Sequence, residues 1–282
     1  MSIKLIQDRL NSYNCKSEIE EQQAIREITQ EVTLAALGRT DFFKHAAFQG
    51  GTCLRIFYGL NRFSEDMDFI LHTPDNSFEL KTHLDALTEE LNNYGYQIKI
   101  NDRSKVDSIV KKAFLKDDSL GKVIQLNYSG KTGPLRKIQI KLEVDTNPPA
   151  GGKTELSILD FPFISSVTTQ DKPTLFAGKI HALLCREYIK GRDWYDFLWY
   201  TSRYPQVNYD FLSSALNQLG PWKNQSIQAG LSWLTQQLKQ RIMSLDFKAT
   251  VQDVRRFIRL NELRSLDLWS QELFLSQLSK LQ

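Results

Sequence analysis

The chain has 282 residues and is 41% hydrophobic, 24% charged and 11% aromatic, which excludes a disordered or fibrous polypeptide. Lys+Arg 36 against Asp+Glu 33 leaves a net charge of +3, too small by itself to imply a nucleic-acid partner. At about 150 residues per domain, the length suits two domains or one large one. Cys15, Cys53 and Cys185 form no CxxC pair, so no zinc site is expected. The N-terminus is charged too early for a signal peptide, and no stretch approaches about 18 uninterrupted apolar residues. The expectation is a cytoplasmic protein with no membrane partner.

The pattern changes near residue 170. Ser17 with Glu20 forms a capping box and opens a helix over Glu18–Leu37, whose apolar stripe includes Ile25, Ile28 and Val32. A short helix is expected over Asp41–Ala47. A sharp turn follows at Gly50-Gly51, with Thr52 capping another short helix. Asp66–Leu71 alternates like a strand, and Ser77–Asn92 reads as a helix. Tyr96–Ile100, Asp107–Leu115 and Val123–Tyr128 read as strands. Lys137–Asp145 is the clearest strand: Ile138, Ile140, Leu142 and Val144 take one face and Lys137, Gln139, Lys141, Glu143 and Asp145 the other. Asn147–Gly152 breaks the sheet as a loop. Beyond it the chain reads as helices over Thr174–Tyr188, Arg192–Tyr204, Asp210–Leu219, Gln225–Ser244, Thr250–Leu260 and Leu266–Leu281. The charge follows the same division: residues 1–170 carry 21 Lys+Arg against 23 Asp+Glu, and residues 171–282 carry 15 against 10.

The segment Gln49–Arg55, followed by Arg62–Leu71, concentrates the chemistry. Asp66 and Asp68 lie two apart on a predicted strand, so both carboxylates share a face. Their repulsion is tolerable where a cation binds between them, and magnesium takes oxygen ligands together with substrate phosphates. Upstream, Gly50 and Gly51 let backbone N–H groups approach a phosphate without a Cβ in the way, and the helix after them aims its N-terminus at the same region. Arg55 and Arg62 add positive charge. An Asp-x-Asp pair alone also occurs as a solvated turn; it is the Gly-Gly turn and short helix ahead of it that favour a site. Either Glu143 or Asp145 could supply a third carboxylate if their strand lies beside Asp66–Leu71, although alternating charge also suits an ordinary solvent-facing strand.

These elements resemble the nucleotidyltransferase superfamily of DNA polymerase β type, and more closely the AbiEii/AbiGii toxin family of type IV toxin–antitoxin systems. The resemblance is carried by Gly50, Gly51, Thr52, Leu54 and Arg55, by Arg62, Ser64, Asp66 and Asp68, by Lys179, and by Arg192-Asp193-Trp194-Tyr195-Asp196. It implies an α+β fold: a polymerase β-type nucleotidyltransferase domain with a mixed sheet over residues 1–170, and a helical domain over 171–282 that completes the nucleotide and acceptor cleft. It implies magnesium or manganese on Asp66, Asp68 and Glu143, with Glu143 or Asp145 acting on the attacking hydroxyl. Glu143 lies between Leu142 and Val144, as the superfamily's third acid does between hydrophobic residues; Asp145 fits less well. Gly50, Gly51, Thr52, Arg55, Arg62 and Ser64 would bind the nucleotide, Lys179 its triphosphate, and Asp193 would orient Lys179. The reaction implied is transfer of a nucleoside monophosphate from an NTP to an acceptor hydroxyl, with the 3′ end of tRNA as the acceptor and a separately encoded antitoxin as partner. A protein or a small molecule is the alternative acceptor. A glycosyltransferase, or a member that binds nucleotide or partner without turnover, remains as a rival reading of the same acids.

The second half also reads without the family. Lys179, Leu183 and Arg186 share one helix face, and Lys179 sits among apolar neighbours, where a lysine ordinarily snorkels to solvent. Asp193 and Asp196 suit a helix's first turn through its dipole. Lys248, Arg255, Arg256 and Arg259 form a basic cluster, either a phosphate-backbone track or a solvated face. Trp194, Tyr195, Phe197, Trp199 and Tyr200 read as core between the two halves.

Overall fold

The computed structural model describes residues 2–103, 109–117, 126–128 and 138–282. Residues 1–59, 63–148 and 155–169 form one compact unit, unit 1; residues 60–62, 149–154 and 170–282 form another, unit 2.

Unit 1 holds helices α1 (Ser2–Ser12), α2 (Glu18–Gly38), α3 (Phe42–His45), α4 (Gly50–Tyr58) and α5 (Lys81–Asn92). Its strands are β1 (Ala46–Gln49), β2 (Met67–Leu71), β3 (Lys99–Asp102), β4 (Val110–Asp117), β5 (Ile138–Asp145), β6 (Thr154–Leu159) and β7 (Ser165–Gln170). They form one mixed sheet in the order β3-β4-β5-β2-β1-β7-β6. β1 runs antiparallel to β2 and β2 parallel to β5. The sheet thus brings together segments far apart in sequence. The expected Lys137–Asp145 strand is β5, with Ile140, Leu142 and Val144 fully buried. The Val123–Tyr128 expectation falls mainly outside the described residues, as do the first two residues of Asp107–Leu115.

The Ser17 side chain caps α2 on the Glu20 N–H, as its capping box predicts. α2 is buried along most of its length, beyond the expected stripe. It therefore carries buried polar groups, and most of them find a partner, the Arg26 Nε being an exception. Glu27 pairs with Arg55, Glu31 with Arg9, and the Thr29 and Tyr96 hydroxyls meet at 3.1 Å. The residues expected as one helix over Asp41–Ala47 divide between α3 and β1 instead. Ala46, Ala47 and Phe48 are all fully buried, so β1 lacks the polar alternation that marks a half-exposed strand.

Unit 2 is helical: α6 (Lys172–Cys185), α7 (Gly191–Arg203), α8 (Tyr209–Gln218), α9 (Leu231–Met243), α10 (Phe247–Val254) and α11 (Gln271–Leu278), with 3₁₀ segments Arg255–Phe257 and Leu260–Leu268. The two last expected helices are therefore shorter than their sequence windows. The aromatic run on α7 forms the core of unit 2 itself. Tyr200 stacks on Phe176 at 4.2 Å between centroids, and Trp194 meets Phe274 edge-on at 5.5 Å. Among the described residues, no helix is long and apolar enough to cross a membrane.

Candidate functional site

The acidic pair lies where β2 leaves the loop that follows α4. Asp66 precedes the first residue of β2 and Asp68 is its second, both half-buried. The loop is held from two sides. The Gln30 amide of α2 donates to the carbonyls of Ser64 and Glu65, and the Thr52 hydroxyl donates to the Asp66 carbonyl. Thr52 is fully buried inside α4, so it fixes the acidic loop rather than capping the helix.

Register places the other groups. Gln49 faces Asp68 across β1 and β2, and Glu143 faces Asp68 across the parallel pair β2 and β5. Side chains in register between neighbouring strands leave on the same side, so Asp68 and Glu143 stand beside each other. Asp145 pairs with Ile70, one step of the pleat further along. The two candidate third carboxylates differ in the direction of their pKa shift as well as in place. Burial would push Glu143 up, but Lys141 at 2.7 Å and Lys112 at 2.9 Å hold it below its ordinary range. Burial pushes Asp145 up, opposed by a hydrogen bond from the Asn147 N–H.

Gly50 sits at φ +80°, in the left-handed region that side chains avoid. A Cβ there would lie 2.5 Å from a carboxylate oxygen of Asp68. Glycine thus lets the Asp68 carboxylate pack against the N-terminus of α4, where N–H groups lack helical partners.

These observations test a fit to magnesium. Asp66 and Asp68 supply the hard oxygen donors that magnesium takes, and the missing Cβ at Gly50 lets the Asp68 carboxylate sit where a side chain would displace it. Glu143 has the right donor type, but its carboxylate is shared between two ammonium groups. Among the described residues, no three His, Cys, Asp or Glu side chains gather as a metal site. The fit is therefore to a carboxylate pair, with Glu143 alongside and matched by lysines.

The remaining expected residues are engaged inside the fold. The Arg55 guanidinium donates to Glu27 at 2.8 Å and lies over the Phe63 ring, so it braces α4 against α2. Arg62 belongs to unit 2, is 2% exposed, and grips Asp196 with two hydrogen bonds of 2.6 Å. Such a two-pronged buried pair is an internal tie rather than an open anion site. Ser64 is half-buried in the acidic loop.

In unit 2 the ion pairs continue as a ladder. Lys179 on α6 contacts Asp196 at 2.8 Å and Asp193 at 3.5 Å, and Arg186 contacts Asp193 at 2.6 Å. The expected Asp193–Lys179 contact is present, with Asp196 the nearer partner. Burial would raise Asp196, but Arg62 and Lys179 hold it below the ordinary carboxylate range. The roles of Asp196 and Arg186 were not assigned from sequence, although the Arg-Asp-x-x-Asp spacing, one helical turn, already placed both acids on one face of α7.

A family profile of the nucleotidyl transferase AbiEii toxin of type IV toxin–antitoxin systems matches residues 32–273. The chain belongs to this family. It is a nucleotidyltransferase of the toxin class, and membership brings a nucleotide substrate and an antitoxin partner. Two solved structures share its fold. MenT4, a nucleotidyltransferase toxin of Mycobacterium tuberculosis, is 16% identical at a TM-score of 0.53, covering 99% of each chain. JHP933 of Helicobacter pylori is 20% identical at a TM-score of 0.53, covering 92% of this chain and 89% of that one. No curated protein matches the chain.

Proposed function

We propose that this toxin transfers a nucleoside monophosphate from an NTP to the 3′ end of tRNA, with magnesium held by Asp66 and Asp68. The observation that carries the reading is Gly50: its left-handed turn, bare of a Cβ, lets the N-terminus of a helix pack directly against the Asp68 carboxylate. That arrangement suits a phosphate whose charge is shared between backbone N–H groups and a cation. When bound, magnesium supplies charge neutralisation at the reacting phosphate.

The chain's own residues do the positioning. Thr52 and Gln30 hold the acidic loop so that Asp66 and Asp68 present their carboxylates from a fixed backbone. Gly50 and Gly51 offer N–H groups to phosphate oxygens. Lys179 binds phosphate, with Asp193 and Asp196 fixing its ammonium. Lys141 and Lys112 keep Glu143 ionised next to Asp68, where it orients the acceptor hydroxyl. An RNA acceptor is supported by the basic surplus of residues 171–282 and by the exposed Arg255 and Arg256.

The test is incubation of the purified protein with each α-labelled NTP, magnesium and total RNA, resolved on a denaturing gel. Label in the tRNA band is expected. Label on protein, with none on RNA, would replace the acceptor.

A further inference from the structure

We propose that a pocket inside unit 2, walled by Arg186, Tyr188, Lys190, Asp193 and Arg241, binds a phosphate group of a nucleotide. The ligand class rests on the nucleotidyltransferase reading; the pocket stands on the geometry of unit 2 alone.

The cavity has a volume of about 220 Å3, enough for a phosphate group and part of its sugar. Its lining carries Arg186, Lys190 and Arg241 against Asp193 and the exposed Glu187, an excess of one positive charge. Asp193 is already matched by Arg186 and Lys179. Lys190 and Arg241 reach the pocket with no carboxylate paired to either among the described residues. Arg241 spends its Nε on the Leu183 carbonyl at 3.0 Å and an Nη on the Arg186 carbonyl at 2.7 Å. That fixes a guanidinium at the end of α6 while its charge stays unmatched. Burial pushes the Lys190 ammonium below the ordinary lysine range; attraction to Asp193 opposes this, and repulsion from Arg192, Lys179 and Arg186 adds to it. An anion in the pocket relieves both the desolvation and the repulsion.

The site is also pre-shaped. A Cβ at Gly191 would collide with the Thr250 carbonyl, and the Gly191 N–H donates to Asp253 at 2.7 Å. The backbone beside Lys190 is therefore clamped against α10. Tyr188, 65% exposed, presents a ring at the pocket beside the Arg186 guanidinium, a surface on which a base or sugar can lie. Sequence reasoning missed this site, because Lys190 and Arg241 lie 51 positions apart.

The same phosphate chemistry could come from the incoming triphosphate or from a phosphodiester of the RNA acceptor. The first experiment uses the wild-type chain: limited acylation of amines, read by mass spectrometry, with and without inorganic tripolyphosphate. Lys190 is expected to be protected several-fold, while Lys4, 83% exposed, is unaffected. Lys190→Gln is expected to bind tripolyphosphate about tenfold more weakly, and Lys190→Arg within about twofold of wild type. Protection by a non-hydrolysable NTP analogue assigns the incoming nucleotide; protection by a short single-stranded RNA assigns the acceptor. Unchanged acylation of Lys190 with saturating tripolyphosphate, analogue and RNA would overturn the pocket, even in an enzyme that transfers nucleotides normally. Protected Lys190 in a protein that transfers none would overturn the enzymatic reading and leave the pocket standing.

Discussion

Asp66 and Asp68 of unit 1, two apart where β2 begins, and Asp193 and Asp196 of unit 2, three apart on a helix, are both close acidic pairs, yet the fold treats them differently. The first pair is half-buried, and glycine lets the Asp68 carboxylate pack against the N-terminus of α4. The second pair is 3% and 0% exposed, and each carboxylate is matched by cations: Arg186 and Lys179 on Asp193, Arg62 and Lys179 on Asp196. An acid whose charge is satisfied internally serves to position its partners. A half-buried acid packed against a helix N-terminus is placed to serve a ligand. Glu143 stands between the two cases, beside Asp68 in register but held by two lysines.

The comparison breaks most visibly at Asp68. Asp68→Ala should lower nucleotidyl transfer on the order of a thousandfold, with an unchanged melting temperature. The mirror-image result is expected at Asp196. Asp196→Ala leaves Arg62 buried and unpaired and should cost about 3–5 kcal/mol in denaturant unfolding. Because the Asp196 pKa is depressed in the fold, its contribution to stability is present above the unfolded carboxylate value of about 3.9 and is lost as pH falls through the lower folded value. The stability gap between wild type and Asp196→Asn should therefore stay constant from pH 7 to about pH 5 and close only below about pH 4.

Gly50→Ala should fall between these. The left-handed backbone costs a side chain about 1–2 kcal/mol, and the new methyl occupies the space against Asp68, so both stability and transfer should drop. A small stability effect is expected at Glu143, whose lysine partners are partly exposed: Glu143→Gln should cost no more than about 1 kcal/mol. Its effect on rate sharpens the comparison. A loss clearly smaller than that of Asp68→Ala fits a lysine-paired orienting group; an equal loss would make Glu143 a third metal ligand.

Much of this was legible in the residues, for reasons that differ by element. β5 announced itself because one face is buried and the other polar over eight residues. β1 did not, being four residues with a fully buried apolar run. β6 alternates, but Leu156 and Ile158 are 67% and 59% exposed, so its pattern does not mark a buried face. α1 buries little more than Ile6 and Leu10, one helical turn apart. At the site, Gly50, Asp66 and Asp68 were readable because their geometry is local. The partners of Arg55 and Arg62 were not, since Glu27 and Asp196 lie 28 and 134 positions away. Sequence shows that an arginine is near an acidic motif; only the fold shows which acid has claimed it.

The most direct test of the account is the mass of purified tRNA after incubation with wild-type protein, magnesium and each NTP, set against Asp68→Ala and Glu143→Gln. The account predicts a gain of whole nucleoside monophosphate residues at the 3′ end with wild type, none with Asp68→Ala, and a reduced gain with Glu143→Gln. An unchanged tRNA mass with every NTP, or an equal gain with Asp68→Ala, would contradict it.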